Sequence, residues 1–145
     1  MMLSQNFSLD EFIVSQTGAR LGIDNTPTPE IISNLTALAA KLEEVRSLLN
    51  APITISSGYR CLALNSAVGG VASSAHVKGY AADILSPQFG SPLAVCTKIK
   101  QSGIVFDQLI YEFRSWTHIS IAPTYRGQIL TINSSTGGYV NGLVA

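Results

Sequence analysis

The chain contains only two histidines, and each lies in a stretch suited to metal binding. His76 lies in SSAHVKGYAADI, and His118 lies in WTHIS. Asp83 follows His76 by seven residues and is the only acid in the apolar run AADIL. Two imidazoles and one carboxylate supply three ligands for Zn²⁺ and leave a fourth position open, as in a catalytic rather than a structural zinc site. Convergence of these three side chains would indicate a hydrolase.

Asp83 falls in the segment 80–85, which has the composition of a buried strand. A carboxylate among alanine and aliphatic side chains is costly to bury unless a cation lies beside it, and a metal ion or an arginine would serve equally. The preceding loop is rich in serine, and Gly79 allows the chain to bring His76 back toward Asp83. The alternative interpretation makes Asp83 part of a structural ion pair and each histidine an ordinary hydrogen-bonded side chain.

A zinc hydrolase also needs a general base that takes a proton from water. Glu112 is the candidate base, and Asp107 is the reserve candidate; both lie in a predicted strand, 107–113. A hairpin centred on Ser115 would place Glu112 directly opposite His118, in the next predicted strand, 117–121. A two-residue turn at 114–115 would instead turn Glu112 to the other face, so the assignment depends on the register of the hairpin.

Arg60 follows a predicted strand, 53–56, and the turn sequence SSGY. A guanidinium fixed at that point could hold a substrate carboxylate through two parallel hydrogen bonds. The alternative is an arginine on the surface or at the start of a helix.

The pattern of the remaining elements predicts an α+β fold. A capped helix begins near Ser8 and ends near Gly18, and residues 19–27 form a loop. The longest helix begins at Thr28-Pro29 and ends at Asn50. Helices come first and strands later, which indicates one domain over 1–145, with a helical part to about residue 50 and a catalytic core from about 51. A small antiparallel sheet in that core would carry the metal site.

Composition excludes several classes of function. Apolar residues make up 46% of the chain, charged residues 12%, and the formal net charge is zero. No basic cluster is present to bind nucleic acid or an anionic membrane. The start, MMLSQNFSLDEF, has no basic and apolar signal regions, and no apolar run approaches the roughly 20 residues that span a bilayer. The two cysteines, Cys61 and Cys96, are expected to be buried, reduced thiols within helices.

Taken together, these stretches resemble the M15 peptidase family, which contains zinc D-Ala-D-Ala carboxypeptidases and related murein endopeptidases. The matching pieces are ITISSGYRCLALNSAVGG, SSAHVKGYAADI and FDQLIYEFRSWTHIS, and they cover roughly residues 53–120. The family pattern places a serine three residues before a histidine, an aspartate seven residues further on, and a later Trp-x-His. Ser73, His76, Asp83 and the segment WTHIS reproduce it in order.

The resemblance implies a hedgehog/DD-peptidase-like fold with His76, Asp83 and His118 as zinc ligands. It further implies Arg60 as the residue that recognises the carboxylate of the peptide, with Ser74 near the same pocket. Several members place the catalytic acid three residues before the second histidine, where this chain has Ser115. Glu112 instead matches the branch that includes the hedgehog signalling domains, which keep the zinc site without established peptidase action.

We therefore expect a zinc metallopeptidase that acts on the stem peptides of peptidoglycan. Its place of action would be the cell wall, reached through phage-mediated lysis, as part of a virion, or by another release route. Two alternatives remain open at this point: a zinc-stabilised binding module without activity, and a structural component of a virion.

Overall fold

The computed structural model describes residues 1–122 and 124–145. The helices are α1 (Leu9–Ile13), α2 (Gln16–Leu21), α3 (Pro29–Leu49), α4 (Leu62–Ala67) and α5 (Pro92–Gln101), with a 3₁₀ helix at Ala75–Lys78. The strands are β1 (Thr54–Ser57), β2 (Ala81–Leu85), β3 (Gln108–Glu112), β4 (Trp116–Ser120), β5 (Gln128–Ile132) and β6 (Val140–Asn141). Helices combined with one mostly antiparallel sheet confirm the predicted α+β class.

The N-terminal helix is shorter than predicted. The Glu11 carboxylate accepts a hydrogen bond from the Ser8 backbone N–H at 2.7 Å, so the predicted capping box is present. Val14 then adopts an extended conformation and ends α1, and the Ser15 hydroxyl accepts from the Gly18 N–H to cap a second helix. The prediction of one helix to Gly18 followed by a loop was therefore wrong, because a new cap restarts the helix at Gln16.

Helix α3 begins and ends where its capping residues predict. The Thr28 hydroxyl accepts from the Ile31 N–H at 3.3 Å, and Asn50 ends the helix in the left-handed conformation, with φ of 49°. Its apolar stripe is buried in the core and comprises Leu35, Leu38, Ala39, Leu42, Val45 and Leu49.

The described residues form a sheet of six strands in the order β1-β2-β4-β3-β5-β6. All neighbouring pairs are antiparallel except β3 and β5, which run parallel. Strands β4 and β3 therefore lie at the centre, β2 lies between β4 and the edge strand β1, and β6 forms the opposite edge.

Alternate residues divide the sheet into a core face and an open face. Leu109, Tyr111 and Ile119 belong to the hydrophobic core together with residues of α3 and α5. Thr117 points to the same side, and its hydroxyl lies 3.2 Å from the Cys96 sulfur of α5. The residues between them, including His118, face a broad cleft on the other side of the sheet.

The hairpin between β3 and β4 adopts neither of the two predicted registers. Glu112 pairs with Trp116, and Ile110 pairs with His118, so residues 113–115 form a three-residue loop. Glu112 is thus not directly opposite His118. It still points to the same face, because its partner Trp116 lies two residues from His118 along β4.

The cysteines differ from each other in burial, although both are free thiols. Cys96 is buried as predicted, and burial raises the pKa of its thiol to about 11. Cys61 is only partly buried and precedes α4 as its N-cap residue, so the prediction that it is buried within a helix was wrong.

Candidate metal centre

Two of the three predicted ligands lie opposite each other on neighbouring strands. Asp83 pairs with His118 in the β2–β4 ladder, and directly paired residues point to the same face with Cβ atoms about 5 Å apart. The His118 Nδ1 atom consequently lies 3.0 Å from Asp83 Oδ1. The sheet itself determines this part of the site.

His76 reaches the same point from the 3₁₀ helix that precedes β2. The Ser74 hydroxyl accepts from the His76 backbone N–H at 3.2 Å and caps this helix. Gly79 ends it in the left-handed conformation, with φ of 77°, and leads the chain into β2. This short connection brings His76 Nε2 within 3.3 Å of Asp83 Oδ1.

A hydrogen bond to Gly58 determines which nitrogen of His76 faces the cluster. The Nδ1 atom lies 2.7 Å from the Gly58 carbonyl oxygen. A carbonyl oxygen only accepts, so Nδ1 carries a proton, and in the neutral ring Nε2 presents a lone pair. A carbonyl that orients a ligand histidine in this way is a common feature of zinc sites.

The three donors fit a bound cation. One ligand atom from each of His76, Asp83 and His118 lies within 4.8 Å of the other two. All three residues are buried, with 3%, 6% and 7% of their surfaces exposed. A lone pair of neutral His76 facing a carboxylate oxygen is repulsive unless a proton or a metal ion lies between them. This donor set, with two nitrogens and one oxygen, is suited to zinc.

The charged form of Asp83 is favoured despite its burial. Burial raises the pKa of this carboxyl, but hydrogen bonds from His118 and, where a proton lies between the two groups, from His76 outweigh the effect and hold the pKa below its usual value. Asp83 is therefore ionised at neutral pH and available as a ligand.

Glu112 stands beside the cluster in a different electrostatic environment. Its Oε1 atom lies 3.5 Å from His118 Nδ1. Burial raises the pKa of Glu112, and the charge of Asp83 adds to the rise, while His118, Trp116 and Arg60 oppose it. The net pKa lies above the usual value for glutamate, which suits a group that must accept a proton and release it again.

Arg60 and Trp116 bring buried donors to the same cleft. Within the described residues, Arg60 Nε and Trp116 Nε1 are buried and have no hydrogen-bond partner of acceptable geometry. Burial lowers the pKa of Arg60, and the charges of Asp83 and Glu112 offset part of this effect. The Arg60 backbone N–H donates to the His76 carbonyl oxygen at 3.1 Å, which ties Arg60 to the short helix that carries His76.

Asp107, the reserve candidate for the base, is engaged elsewhere. Its two carboxylate oxygens accept from Arg126 Nε and Nη2, each at 2.9 Å. These bonds are the principal cause of the lowered pKa of Asp107. The ion pair makes Asp107 a structural residue and a poor proton acceptor.

The cleft extends well beyond the metal cluster. Its volume is about 2030 Å³, compared with roughly 300–1,000 Å³ for a pocket that holds a small molecule. Ser74 lines it together with Arg60 and Glu112. Tyr139 and Asn141 also line it, although neither was identified from the sequence. Their place in the cleft follows from the pairing of β6 with β5, which the sequence analysis did not predict.

The sequence of this chain is similar to a known family of enzymes. The sequence model of the peptidase M15 family matches residues 5–120, which include all three cluster residues and Glu112. The chain belongs to the peptidase M15 family. No curated protein matches it.

M15 peptidases are zinc-dependent, and this chain has a cluster of His76, Asp83 and His118 that could bind a metal ion. The family match ends at the last residue of β4, so β5 and β6 lie outside it. Among the described residues of this M15 protein, no helix is both long and apolar enough to cross a membrane.

Proposed function

We propose that the chain is a zinc-dependent peptidase that hydrolyses peptide bonds in the stem peptides of peptidoglycan. The observation that carries the proposal is the convergence of His76, Asp83 and His118 in a member of a peptidase family. Action on such a substrate would take place at the bacterial cell wall, reached through phage-mediated lysis, as part of a virion, or by another release route. The bond would be the terminal D-Ala-D-Ala bond or one within the stem.

In this proposal His76 Nε2, Asp83 and His118 hold the zinc ion. Bound zinc supplies a Lewis acid that polarises a carbonyl group and makes water more acidic. The Gly58 carbonyl keeps the His76 ring oriented, and the paired strands keep Asp83 and His118 in place.

Glu112 is the proposed general base. Its carboxylate accepts a proton from the attacking water and then delivers it to the amine of the leaving group. Two features support this role: its oxygen lies 3.5 Å from His118 Nδ1, and burial raises the pKa of its carboxyl above the usual value for glutamate.

Arg60 and Ser74 are the proposed substrate-binding residues. The guanidinium of Arg60 would hold a carboxylate of a D-residue through two hydrogen bonds, and Ser74 would contact the same part of the peptide. Support comes from their place in the cleft and from the buried Arg60 Nε, which lacks a partner within the described residues.

The test is the variant Glu112→Gln, which keeps the shape of the side chain but removes the basic group. We expect unchanged zinc content and a loss of roughly 10²–10⁴ in the rate of fragment release from purified sacculi. Glu44→Gln is the matched control, because Glu44 is exposed, pairs with Lys41 and does not line the cleft.

Mass spectrometry of the released fragments would identify the bond that is cut. Unchanged release by Glu112→Gln would contradict the assigned base. A native protein that binds zinc but releases nothing would instead indicate a binding module.

A further inference from the structure

We infer that Tyr139 and Asn141 form a subsite that binds the acyl part of the peptide substrate, on the side of the metal centre away from Arg60. The inference rests on the proposed function and names residues that lie beyond the family match, which ends at residue 120.

Strand register places Asn141 in line with the metal centre. His118 pairs with Asp83 on one side and with Ile110 on the other. Ile110 pairs with Leu130, and Leu130 pairs with Asn141. Paired residues point to the same face, so this row crosses the sheet from the metal centre to the edge at β6. All five residues line the cleft.

Tyr139 lies in the neighbouring row, which contains Glu112. Glu112 pairs with Trp116 on one side and with Ile132 on the other. Thr131 pairs with Val140, so continuing this register places Tyr139 beside Ile132. Tyr139 and Glu112 both line the cleft, two strands apart.

The spacing of the strands sets the size of the subsite. Neighbouring strands lie about 4.8 Å apart, and β6 is three spacings from β4 and four from β2, so the β6 residues lie roughly 14–19 Å from the metal centre. An extended peptide rises about 3.3 Å per residue and would cover this distance with about four to six residues. A dipeptide bound at the metal centre would not reach Tyr139.

Both side chains are available to a ligand. Tyr139 is 60% exposed, and among the described residues neither its hydroxyl nor the Asn141 amide group takes part in a hydrogen bond. Partial burial of its ring and the charges of Glu112 and Asp83 raise the pKa of Tyr139, so its hydroxyl is protonated and can donate to a peptide carbonyl.

The segment that carries these residues is held in place. The Thr131 hydroxyl donates to the Gly142 carbonyl oxygen at 2.8 Å and accepts from the Val144 N–H at 3.0 Å. The turn before Tyr139 is closed by Thr136, whose hydroxyl lies 2.7 Å from the Gly138 carbonyl oxygen. The subsite is therefore preorganised, which reduces the entropy lost on binding.

The position of Arg60 indicates which part of the peptide lies over β6. Arg60 follows β1, at the opposite edge of the sheet, and the metal centre on β2 and β4 lies between the two edges. If Arg60 holds the carboxylate on the leaving side of the scissile bond, the acyl side must extend toward Tyr139 and Asn141.

The experiment measures binding rather than turnover. The zinc-loaded Glu112→Gln protein is titrated with a muropeptide that carries the full stem and with the tripeptide L-Lys-D-Ala-D-Ala, which lacks the N-terminal part. Trp116 is the single tryptophan and lines the cleft, so its fluorescence reports occupancy. The same titrations are repeated with Tyr139→Phe and Asn141→Ala added.

We expect each added substitution to weaken muropeptide binding about tenfold and to leave tripeptide binding unchanged. Tyr125→Phe is the matched control, since Tyr125 is exposed near Lys41 and does not line the cleft. Melting temperatures establish that each variant is folded.

Equal effects on the two ligands, or no effect on either, would overturn the subsite alone. If the Glu112→Gln protein without a further substitution binds neither ligand, the proposed function is overturned, and the subsite with it.

Discussion

The Gly58 carbonyl oxygen determines which nitrogen of His76 is protonated. It lies 2.7 Å from His76 Nδ1 and accepts a hydrogen bond from it, so the proton is on Nδ1. Nε2 is then directed at Asp83, 3.3 Å away. With three buried donors so close together, a bound cation relieves the repulsion between lone pairs and adds free energy of binding to the folded state. If the proposed zinc ion binds this cluster, the stability of the protein depends on zinc.

Asp83→Asn tests this linkage, because it removes the only formal negative charge among the three ligands. A ligand present at 1,000 times its Kd adds about 4 kcal/mol to the free energy of unfolding, which corresponds to a rise of roughly 8–16 °C in Tm for a chain of this size. We expect calorimetry to show such a rise for the native protein on adding zinc, and a much smaller rise for Asp83→Asn.

Asp24→Asn is the control for this measurement, because Asp24 accepts hydrogen bonds from Thr26 in an exposed turn and does not line the cleft. Its zinc-induced shift should match that of the native protein. A full shift in Asp83→Asn would remove Asp83 from the ligand set.

The loop between the 3₁₀ helix and β2 links the metal centre to α3. Gly79 adopts a left-handed conformation there, and a Cβ atom at this position would meet the Ile31 carbonyl oxygen at 3.2 Å and Leu35 Cγ at 3.3 Å. The packing of the longest helix thus helps to determine where His76 lies.

Gly79→Ala should lower both stability and zinc affinity. The strained backbone alone costs about 1–2 kcal/mol, and contact with α3 adds to this cost and displaces His76. Gly22→Ala is the matched control, since Gly22 has a similar φ of 67° and nothing within 4 Å of the added Cβ. Denaturant unfolding and zinc titration should show a loss of stability in both variants, but weaker zinc binding only in Gly79→Ala.

Some elements could be predicted from sequence because their signals are local. Helix α3 has a cap at Thr28 and a terminating Asn50, and the structure has both. The β3–β4 hairpin could not be predicted, because Phe113 and Arg114 adopt φ of 52° and 56°. These are left-handed values that turn rules assign to glycine or asparagine.

The metal cluster could likewise be predicted from local sequence signals, whereas the far end of the cleft could not. Strand alternation and loop composition indicate that His76, Asp83 and His118 could meet. The role of Tyr139 depends on parallel pairing of β3 with β5, which is a tertiary contact without a local sequence signal.

Charge is balanced over the molecule as a whole, with nine acidic and nine basic residues. The ion pair of Asp107 with Arg126 joins the start of β3 to the segment that leads into β5. Since Arg126 lowers the pKa of Asp107 in the folded state, the unfolded chain binds a proton more readily there. The contribution of the pair to the free energy of unfolding is therefore complete above the ordinary pKa of aspartate. It is lost as the pH falls through the lower pKa that Asp107 has in the folded state.

Asp107→Asn should lower Tm at pH 6 to 7 and should have progressively less effect between about pH 5 and pH 2. Melting curves across this range measure the difference from the native protein. Arg126→Gln should reproduce the profile, and the double variant should add little, because each substitution breaks the same interaction. A difference that stays constant with pH would contradict this assignment.

One sheet separates the core from the cleft, with consequences for how the sequence can vary. Along β4, Thr117 and Ile119 face the packed interior, whereas Trp116 and His118 face the cleft. Substitutions at the odd positions of β4 should therefore change the amount of folded protein in the cell. Substitutions at the even positions should instead change the chemistry of the cleft. The two faces of this one strand thus let folding and function be altered separately by substitution.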